Sequence, residues 1–165
     1  LRRHGVEIAE TYCKDGSRVG RQVPERFDRV LLDAPCSSEA RFNAQRPESW
    51  SYWSEKKIRE MQRKQKQLLY SAVLALKYDG LLVYSTCSYA PEENEAVIAH
   101  ILKKFPGELE LEPIAPEGVA TLPGLTEWGG RKFPPQLSYA CRVLPGSDID
   151  AFFICALRKR HPVPG

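Results

Sequence analysis

The chain has 165 residues, of which 42% are hydrophobic and 27% charged, a balance typical of an ordinary soluble domain with one sizeable core. No apolar run reaches the roughly 18 residues that a membrane span requires, so we expect no membrane partner. The formal net charge of +3 permits a nucleic-acid partner without demanding one, because dedicated binders of a nucleic-acid backbone are usually more basic.

The amino-terminal segment predicts a short strand and then an acidic turn. Residues 6–9 have the pattern of a strand, and the acid Asp15 follows them. Because the chain begins at Leu1 without an initiator Met or a secretory signal, we interpret Leu1 as an internal position of a longer protein. A second, more apolar strand is predicted over residues 26–33 and ends on the acid Asp33.

A long amphipathic helix is predicted next. Its apolar residues recur at helical spacing from Ser54, a candidate N-cap, to about Tyr78, with a polar break at Gln65. Asp79-Gly80 is expected to end it. The basic side chains fall mostly off the apolar stripe, which favours a solvated face, and an RNA-facing edge is the alternative interpretation. These residues are Lys56, Lys57, Arg59, Arg63, Lys64 and Lys66.

The remaining pattern predicts a second strand and helix and then a group of late strands. Strands that alternate with helices imply a parallel sheet with helices on its faces, completed here by late strands of a different pattern. The predicted elements are a strand over 80–85, a helix from Pro91 to about Lys104, a strand over 108–114, an irregular insertion over 113–136, and strands over 139–144 and 151–157.

The spacing of the cysteines argues against a metal site, and their number indicates a reducing compartment. The five cysteines stand at positions 13, 36, 87, 141 and 155, and no two are spaced as CxxC, so we expect no metal site. An odd number of cysteines without a secretory signal indicates free thiols in a reducing, cytoplasmic compartment. Cys13, Cys141 and Cys155 lie within or beside predicted strands, and we interpret them as core residues.

Cys36 and Cys87 are different, because each lies in a turn that directly follows a predicted strand. In doubly wound sheets, ligands bind outside the carboxyl ends of the strands. The two turns would therefore converge on one cleft together with Asp33. Backbone N–H groups in such turns stabilise a thiolate and lower its pKa from about 8.5, and the thiolate is the nucleophilic form. Either cysteine alone could be a small buried residue, whereas two in equivalent turns favour a function.

The motifs around these cysteines, DAPCS from Asp33 to Ser37 and STCS from Ser85 to Ser88, resemble the paired cysteine motifs of the Nol1/Nop2/Sun family of RNA 5-methylcytosine methyltransferases. The resemblance runs over most of the chain in the family's order. Its further matches are Asp15-Gly16, Pro91-Glu92-Glu93-Asn94-Glu95, Arg142-Val143-Leu144-Pro145 and Asp150-Ala151-Phe152-Phe153. Ser38 and Ala151 depart from it, since many relatives have glycine at these two positions, and each change can alter a tight turn.

The resemblance implies an α/β fold of class I, the Rossmann-like methyltransferase fold that binds S-adenosylmethionine. Residues 1–160 would form the carboxy-terminal two-thirds of that domain, and residues 161–165 a tail or linker. The first strands and the glycine-rich cofactor turn are expected to be absent, because nothing before Val6 can supply them. We accordingly expect the chain by itself to bind the cofactor weakly and to be inactive.

The resemblance also implies a role for each candidate residue. Cys87 would be the nucleophile that adds to carbon 6 of cytosine, and Cys36 would take part in the release step. Asp33 would lie near N3 of the base and, with Pro35, beside the cofactor, while Asp15 would contact the cofactor's adenine. The family's range makes ribosomal RNA the first expected partner and transfer RNA the second.

Three other functions compete with this one. A DNA cytosine-C5 methyltransferase would use Cys36 as the nucleophile and leave Cys87 idle, which the second motif and the flanking matches disfavour. An amino methyltransferase of the Asp-Pro-Pro-Tyr type needs an aromatic residue where this chain has Cys36. A non-catalytic RNA-binding or scaffolding domain would have no need to retain both thiols and Asp33.

Overall fold

The structure, a computed structural model, describes Gly5 and residues 7–163. Two parallel strands joined by a long helix make up its first half. The elements are the short helix α1 (Val19–Gln22), strand β1 (Phe27–Asp33), helix α2 (Glu55–Ala75) and strand β2 (Leu76–Thr86). Because β1 and β2 are parallel and α2 connects them, this half is a βαβ unit, as the alternation of strand and helix predicts.

The second half adds antiparallel strands to the same sheet. The elements are α3 (Glu95–Lys104), β3 (Leu109–Glu112), β4 (Thr121–Pro123), β5 (Glu127–Trp128), β6 (Arg131–Lys132), β7 (Cys141–Val143) and β8 (Phe152–Lys159). Strand β8 lies antiparallel to β2, and its other edge pairs with β3 and β7, while β4 pairs with β7. Two further strands, β5 and β6, form a separate hairpin.

The core lies where α2 and α3 pack against each other and against the sheet. The apolar face expected for α3 is the buried one, since Val97, Ile98, Ile101 and Leu102 all belong to the core. The α/β class expected from the sequence is confirmed, as are the late strands of different pattern, which prove antiparallel. Within the described residues, no helix combines the length and apolarity needed to cross a membrane.

Helix α2 begins as predicted and ends earlier than predicted. Ser54 is its N-cap, accepting a hydrogen bond from the Lys57 backbone N–H at 3.1 Å. The helix stops at Ala75, and β2 begins at once, whereas the sequence pattern extended the helix to Tyr78. The physical reason is that the last helical carbonyls are capped by another segment: the backbone N–H groups at positions 25 and 26 donate to the carbonyls of residues 74 and 75.

The strand predicted over residues 6–9 is wrong for the residues that the structure describes. Val6 lies outside them, and residues 7–9 form no strand. A strand needs a neighbour for its backbone N–H and C=O groups, and none of the pairings in the described sheet involves this segment. The insertion over 113–136 is also more ordered than expected, because β4, β5 and β6 lie within it.

A buried lysine secures the junction between α2 and β2. Lys159 is fully buried at the end of β8, and its ammonium donates to the Leu76 carbonyl at 2.8 Å and the Val73 carbonyl at 3.5 Å. It also pairs with the half-exposed carboxylate of Glu25 at 3.0 Å. The position carries a charge inside the fold because these oxygens replace its water.

We expect Lys159→Met to lower the free energy of unfolding by about 2 kcal/mol, because the side chain keeps its length while the buried carbonyls lose their donor. Urea unfolding followed by circular dichroism measures the change. Lys56→Met is the matched control, since Lys56 lies exposed near the start of α2, and it should change the free energy by less than about 0.5 kcal/mol. Equal values for the two variants would contradict this account of Lys159.

Candidate active site

The two cysteine turns meet at one edge of the sheet. In the parallel register, Asp33 at the end of β1 lies opposite Ser85 near the end of β2, so both strands enter their turns at the same level. The Sγ atoms of Cys36 and Cys87 consequently lie 3.1 Å apart, and both cysteines are half-buried. The structure thus brings together the two thiols that the sequence placed in equivalent turns.

The pair is electrostatically unequal. A hydrogen bond from the Cys36 thiol lowers the pKa of Cys87 to about 6, helped by Ser38 and by the positive charge of Arg41, against a smaller opposing effect of burial. The pKa of Cys36 is raised, first by the hydrogen bond that it shares with Cys87 and then by its own deeper burial. Cys87 is therefore the thiolate near neutral pH, and Cys36 is its neutral donor.

Ser38 shapes the first turn in a strained conformation. Its φ angle of 59° lies in the left-handed region, which favours glycine and disfavours residues with a Cβ. The expectation that Ser38 marks a tight turn agrees with this geometry. Its hydroxyl lies 3.9 Å from the Cys36 Sγ and donates to the Cys36 carbonyl at 3.5 Å, so the serine adds polar contacts that a glycine would lack.

A buried carboxylate, that of Glu93, joins the two turns. It accepts hydrogen bonds from the Ser37 backbone N–H at 3.0 Å, the Ser88 hydroxyl at 3.0 Å and the Gln65 amide at 2.7 Å. The Ser37 hydroxyl donates to it as well. Burial raises the pKa of Glu93, and the hydrogen bonds from Ser37, Gln65 and Ser88 oppose that effect.

The residues that follow Glu93 also fix the second turn. Asn94 donates to the Ser88 carbonyl at 2.9 Å and accepts from the Thr86 hydroxyl at 2.6 Å. Glu95, fully buried, forms an ion pair with Arg142 at 2.6 Å. The Arg142 guanidinium in turn donates to the Tyr89 carbonyl at 3.1 Å. Three consecutive polar residues are thus buried around the Cys87 turn.

Sequence reasoning missed these supporting residues. The acids at positions 92, 93 and 95 match a helix start, where acidic side chains ordinarily face solvent. One signal pointed to them: Gln65 interrupts the apolar stripe of α2. In the structure Gln65 is fully buried and donates to both the Pro35 carbonyl at 2.9 Å and Glu93. A polar residue on a buried stripe needs buried polar partners, and these lie in the cysteine turns.

Asp33 and Pro35 lie in the first turn, as the motif requires. Asp33 is exposed at the end of β1, where one carboxylate oxygen accepts from the Ser85 hydroxyl at 3.2 Å. Pro35 is exposed as well, while its carbonyl is held by Gln65. Both side chains therefore remain accessible to a ligand beside the thiol pair.

Asp15 lies outside the two cysteine turns, in the segment before α1. It caps the turn Gly16–Arg18 by accepting from the Ser17 backbone N–H at 3.0 Å, and hydrogen bonds from Ser17 lower the pKa of Asp15. Asp15 also lines an open groove of about 650 Å³ together with basic side chains from α1, α2 and α3. Neither Cys36 nor Cys87 lines this groove.

Two of the three cysteines outside the turns are buried, and the charged residues of α2 form exposed ion pairs. Cys141 and Cys155 are buried, as predicted, but Cys13 is exposed because it lies in the segment that forms no strand. On α2, Glu60 pairs with Lys57 at 3.6 Å and with Lys64 at 2.9 Å. These exposed pairs agree with a solvated face.

Known proteins match both the fold and the sequence. The chain superposes with a TM-score of 0.76 and 32% identity on the structure described as a methyltransferase homolog protein from Pyrococcus horikoshii, over 96% of this chain and 47% of that one. The fold is therefore that of a methyltransferase. The profile of the family described as 16S rRNA methyltransferase RsmB/F matches residues 1–158. The chain belongs to this family, which confirms the resemblance drawn from the paired cysteine motifs.

Two curated relatives carry different RNA names. A tRNA (cytosine(49)-C(5))-methyltransferase of Pyrococcus abyssi is 40% identical over 96% of this chain and 50% of its own length. The ribosomal RNA small subunit methyltransferase F of Shigella dysenteriae is 38% identical over 99% of this chain and 32% of its own length. The chain thus spans between a third and a half of these relatives. A third match, 28% identical with a TM-score of 0.65, covers 97% of this chain and 37% of NSun6 from Pyrococcus horikoshii with SFG.

The unequal thiol pair gives a testable pH dependence. We expect Cys36→Ala to raise the pKa of Cys87 from about 6 towards its ordinary value, because the thiolate loses its main hydrogen-bond donor. The thiolate fraction at pH 7 would then fall by about tenfold or more. The rate of alkylation of Cys87 by iodoacetamide, followed against pH by mass spectrometry, measures the midpoint. Cys141→Ala, a change at a buried thiol two strands away from β2 in the sheet, should leave it in place. An unshifted midpoint in Cys36→Ala would refute the donor role.

Proposed function

We propose that this chain forms the nucleophile-bearing part of an S-adenosylmethionine-dependent RNA (cytosine-C5) methyltransferase, with residues 1–160 as the carboxy-terminal two-thirds of the catalytic domain. The observation that carries the proposal is the pair of thiols 3.1 Å apart, in which Cys87 has the lowered pKa. Membership of the family supports the reaction class, since relatives that cover nearly the whole chain are named as RNA methyltransferases.

Cys87 supplies the chemistry that cytosine lacks. Carbon 5 of the base is a weak nucleophile, and addition of the Cys87 thiolate to carbon 6 moves electron density onto carbon 5. S-adenosylmethionine, when bound, would supply an electrophilic methyl group on a sulfonium, and its sulfur would leave as a thioether. After methylation, carbon 5 loses its proton to a base, the bond between carbon 6 and Cys87 breaks, and the thiolate leaves. A base within an RNA helix would have to be unstacked to reach the half-buried thiolate.

Cys36 and Asp33 act beside the nucleophile. As a neutral thiol in contact with Cys87, Cys36 can donate a hydrogen bond to the departing thiolate and so take part in the release step. Asp33 is exposed at the end of β1, three residues before Cys36. Its carboxylate can accept a hydrogen bond from N3 of the base once that nitrogen carries a proton. These roles favour Cys87 over Cys36 as the attacking atom, against the arrangement of DNA cytosine-C5 methyltransferases.

Three exposed residues of this chain carry groups that suit part of S-adenosylmethionine. S-adenosylmethionine carries amino groups that donate hydrogen bonds, and the exposed carboxylates of Asp15 and Asp33 are acceptors. Asp15 keeps one oxygen engaged only by the exposed guanidinium of Arg18 at 3.8 Å. Pro35 offers an exposed apolar surface beside Asp33. Asp15, Asp33 and Pro35 are the residues of this chain that would hold the cofactor.

Ribosomal RNA is the first candidate substrate, because the matching family is described by 16S rRNA and several relatives by ribosomal RNA. Transfer RNA is the second, because one relative at 40% identity is named for cytosine 49 of tRNA. Methylation of each RNA by a protein that carries this chain at the full length of its relatives, followed by mapping of 5-methylcytosine, distinguishes the two.

Trapping with an RNA that contains 5-fluorocytosine tests the nucleophile. Fluorine at carbon 5 prevents the final proton loss, so the adduct of the true nucleophile persists and migrates as a protein–RNA band under denaturing conditions. We expect Cys87→Ser to abolish the band and Cys36→Ser to retain it, in the full-length protein. The opposite pattern would assign the attack to Cys36, and no band in the unmodified protein would remove the proposed reaction.

Asp15→Asn tests the cofactor site. We expect it to weaken binding of S-adenosylmethionine by about tenfold, because an amide replaces one carboxylate acceptor with a donor. Isothermal titration calorimetry on the full-length protein measures the dissociation constant. Glu7→Gln is the control, since it makes the same chemical change at an exposed acid of the same segment. Equal affinities in the two variants would place the adenine contact elsewhere.

A further inference from the structure

We propose that Glu93 is a positioning residue that sets the distance between the two thiols by clamping both cysteine turns with one carboxylate. The inference rests on the proposed function, in which Cys87 attacks and Cys36 assists. Glu93 itself is fully buried and touches neither sulfur, so its action passes through Ser37 and Ser88. Each of these serines directly follows one of the cysteines in sequence.

Both carboxylate oxygens of Glu93 accept hydrogen bonds from the residues around the cysteine turns. One carboxylate oxygen, Oε2, accepts from the Ser37 backbone N–H at 3.0 Å and from Gln65 at 2.7 Å. The other, Oε1, accepts from the Ser37 hydroxyl and from the Ser88 hydroxyl at 3.0 Å. The two hydroxyl oxygens lie only 3.1 Å apart. The short separation between the turns is therefore fixed by shared hydrogen bonds to one residue.

The clamp is anchored in the core. The Glu93 backbone carbonyl accepts from the hydroxyl of Tyr84, a fully buried residue of β2, at 2.7 Å. Gln65 extends the support to α2, since the same amide group donates to the Pro35 carbonyl at 2.9 Å. Ser37, Gln65 and Glu93 have no exposed surface and Ser88 is 4% exposed, so water cannot readily replace these bonds. Loss of the carboxylate would leave several buried donors without an acceptor.

The hydrogen-bond pattern allows the position of the Glu93 side chain to be tested separately from its negative charge. Oε2 accepts from two fixed donors at 3.0 and 2.7 Å and must be an oxygen. Oε1 is contacted by two hydroxyls that can rotate and accept instead, and the Ser37 backbone N–H lies farther from it, at 3.3 Å, than from Oε2. Glu93→Gln can therefore keep the clamp, with its carbonyl oxygen in the place of Oε2 and its NH₂ group directed at the hydroxyls. Glu93→Ala removes every side-chain hydrogen bond and leaves the backbone contact with Tyr84. If position is what matters, the glutamine variant should behave like the unmodified protein.

The experiment measures the effective concentration of one thiol at the other in the full-length protein. Equilibration with reduced and oxidised glutathione converts the two thiols to a disulfide and the oxidised glutathione to two reduced molecules. Peptide mapping quantifies the Cys36–Cys87 disulfide. We expect Glu93→Ala to lower the effective concentration by about tenfold or more, and Glu93→Gln to stay within about threefold of the unmodified protein. Glu92→Ala, at the exposed neighbouring acid, is the matched control and should match the unmodified protein.

A pH profile gives the second readout, which a merely stabilising residue would not move. As the thiols separate in Glu93→Ala, the midpoint for alkylation of Cys87 should rise, and Glu93→Gln should restore it. An unchanged effective concentration in folded Glu93→Ala would overturn the proposal, and so would a tenfold loss in Glu93→Gln. If Glu93→Ala fails to fold by circular dichroism, the S37A/S88A double variant replaces it, with an expected loss of at least about threefold and an unchanged value overturning the clamp.

These measurements need neither RNA nor cofactor. A failure of the 5-fluorocytosine trap with an intact thiol response would therefore remove the proposed reaction and leave the clamp standing. An intact trap with no thiol response to Glu93→Ala would remove the clamp and leave the reaction standing.

Discussion

The parallel register of β1 and β2 is the constraint on which the rest of this structure depends. It places Asp33 opposite Ser85, so the chain leaves both strands at one level and the following turns must run side by side. A shift of one residue would move one thiol by a full residue rise of about 3.3 Å along the strand and break the contact. The contact between the two thiols therefore depends on the backbone pairing of β1 and β2, which α2 separates in sequence.

The polar residues beneath the turns maintain this arrangement at a cost in desolvation. Burial of a carboxylate is unfavourable unless hydrogen bonds replace its water. Glu93 and Glu95 are both fully buried, and each is compensated, the first by donors from the turns and α2 and the second by Arg142. Apolar residues at these positions would pack without that cost but would leave the turns free to move apart. Under the positioning role proposed for Glu93, this desolvation cost accompanies a fixed separation of the two thiols.

Much of the fold and the central part of the site follow from the sequence alone. Periodicity marks α2 and β1, and the two cysteine turns identify the thiol pair, because each depends on local pattern and strand ends. The early end of α2 was not predictable, since its last carbonyls are capped by residues some 50 positions earlier in the chain. The burial of Glu93 was not predictable for the same reason, because its partners Ser37 and Gln65 are distant in sequence. An acid at a helix start ordinarily faces solvent.

The unequal pKa values of the pair follow from its closeness and not from either cysteine alone. Two thiols 3.1 Å apart cannot both ionise without strong repulsion, so one proton stays between them. The deeper burial of Cys36 and the charge of Arg41 near Cys87 decide which sulfur keeps it. The same contact that lowers the pKa of Cys87 therefore keeps a proton on Cys36, next to the sulfur that would leave in the proposed reaction. In the proposed mechanism, attack and release would both depend on one distance, that between the two sulfur atoms.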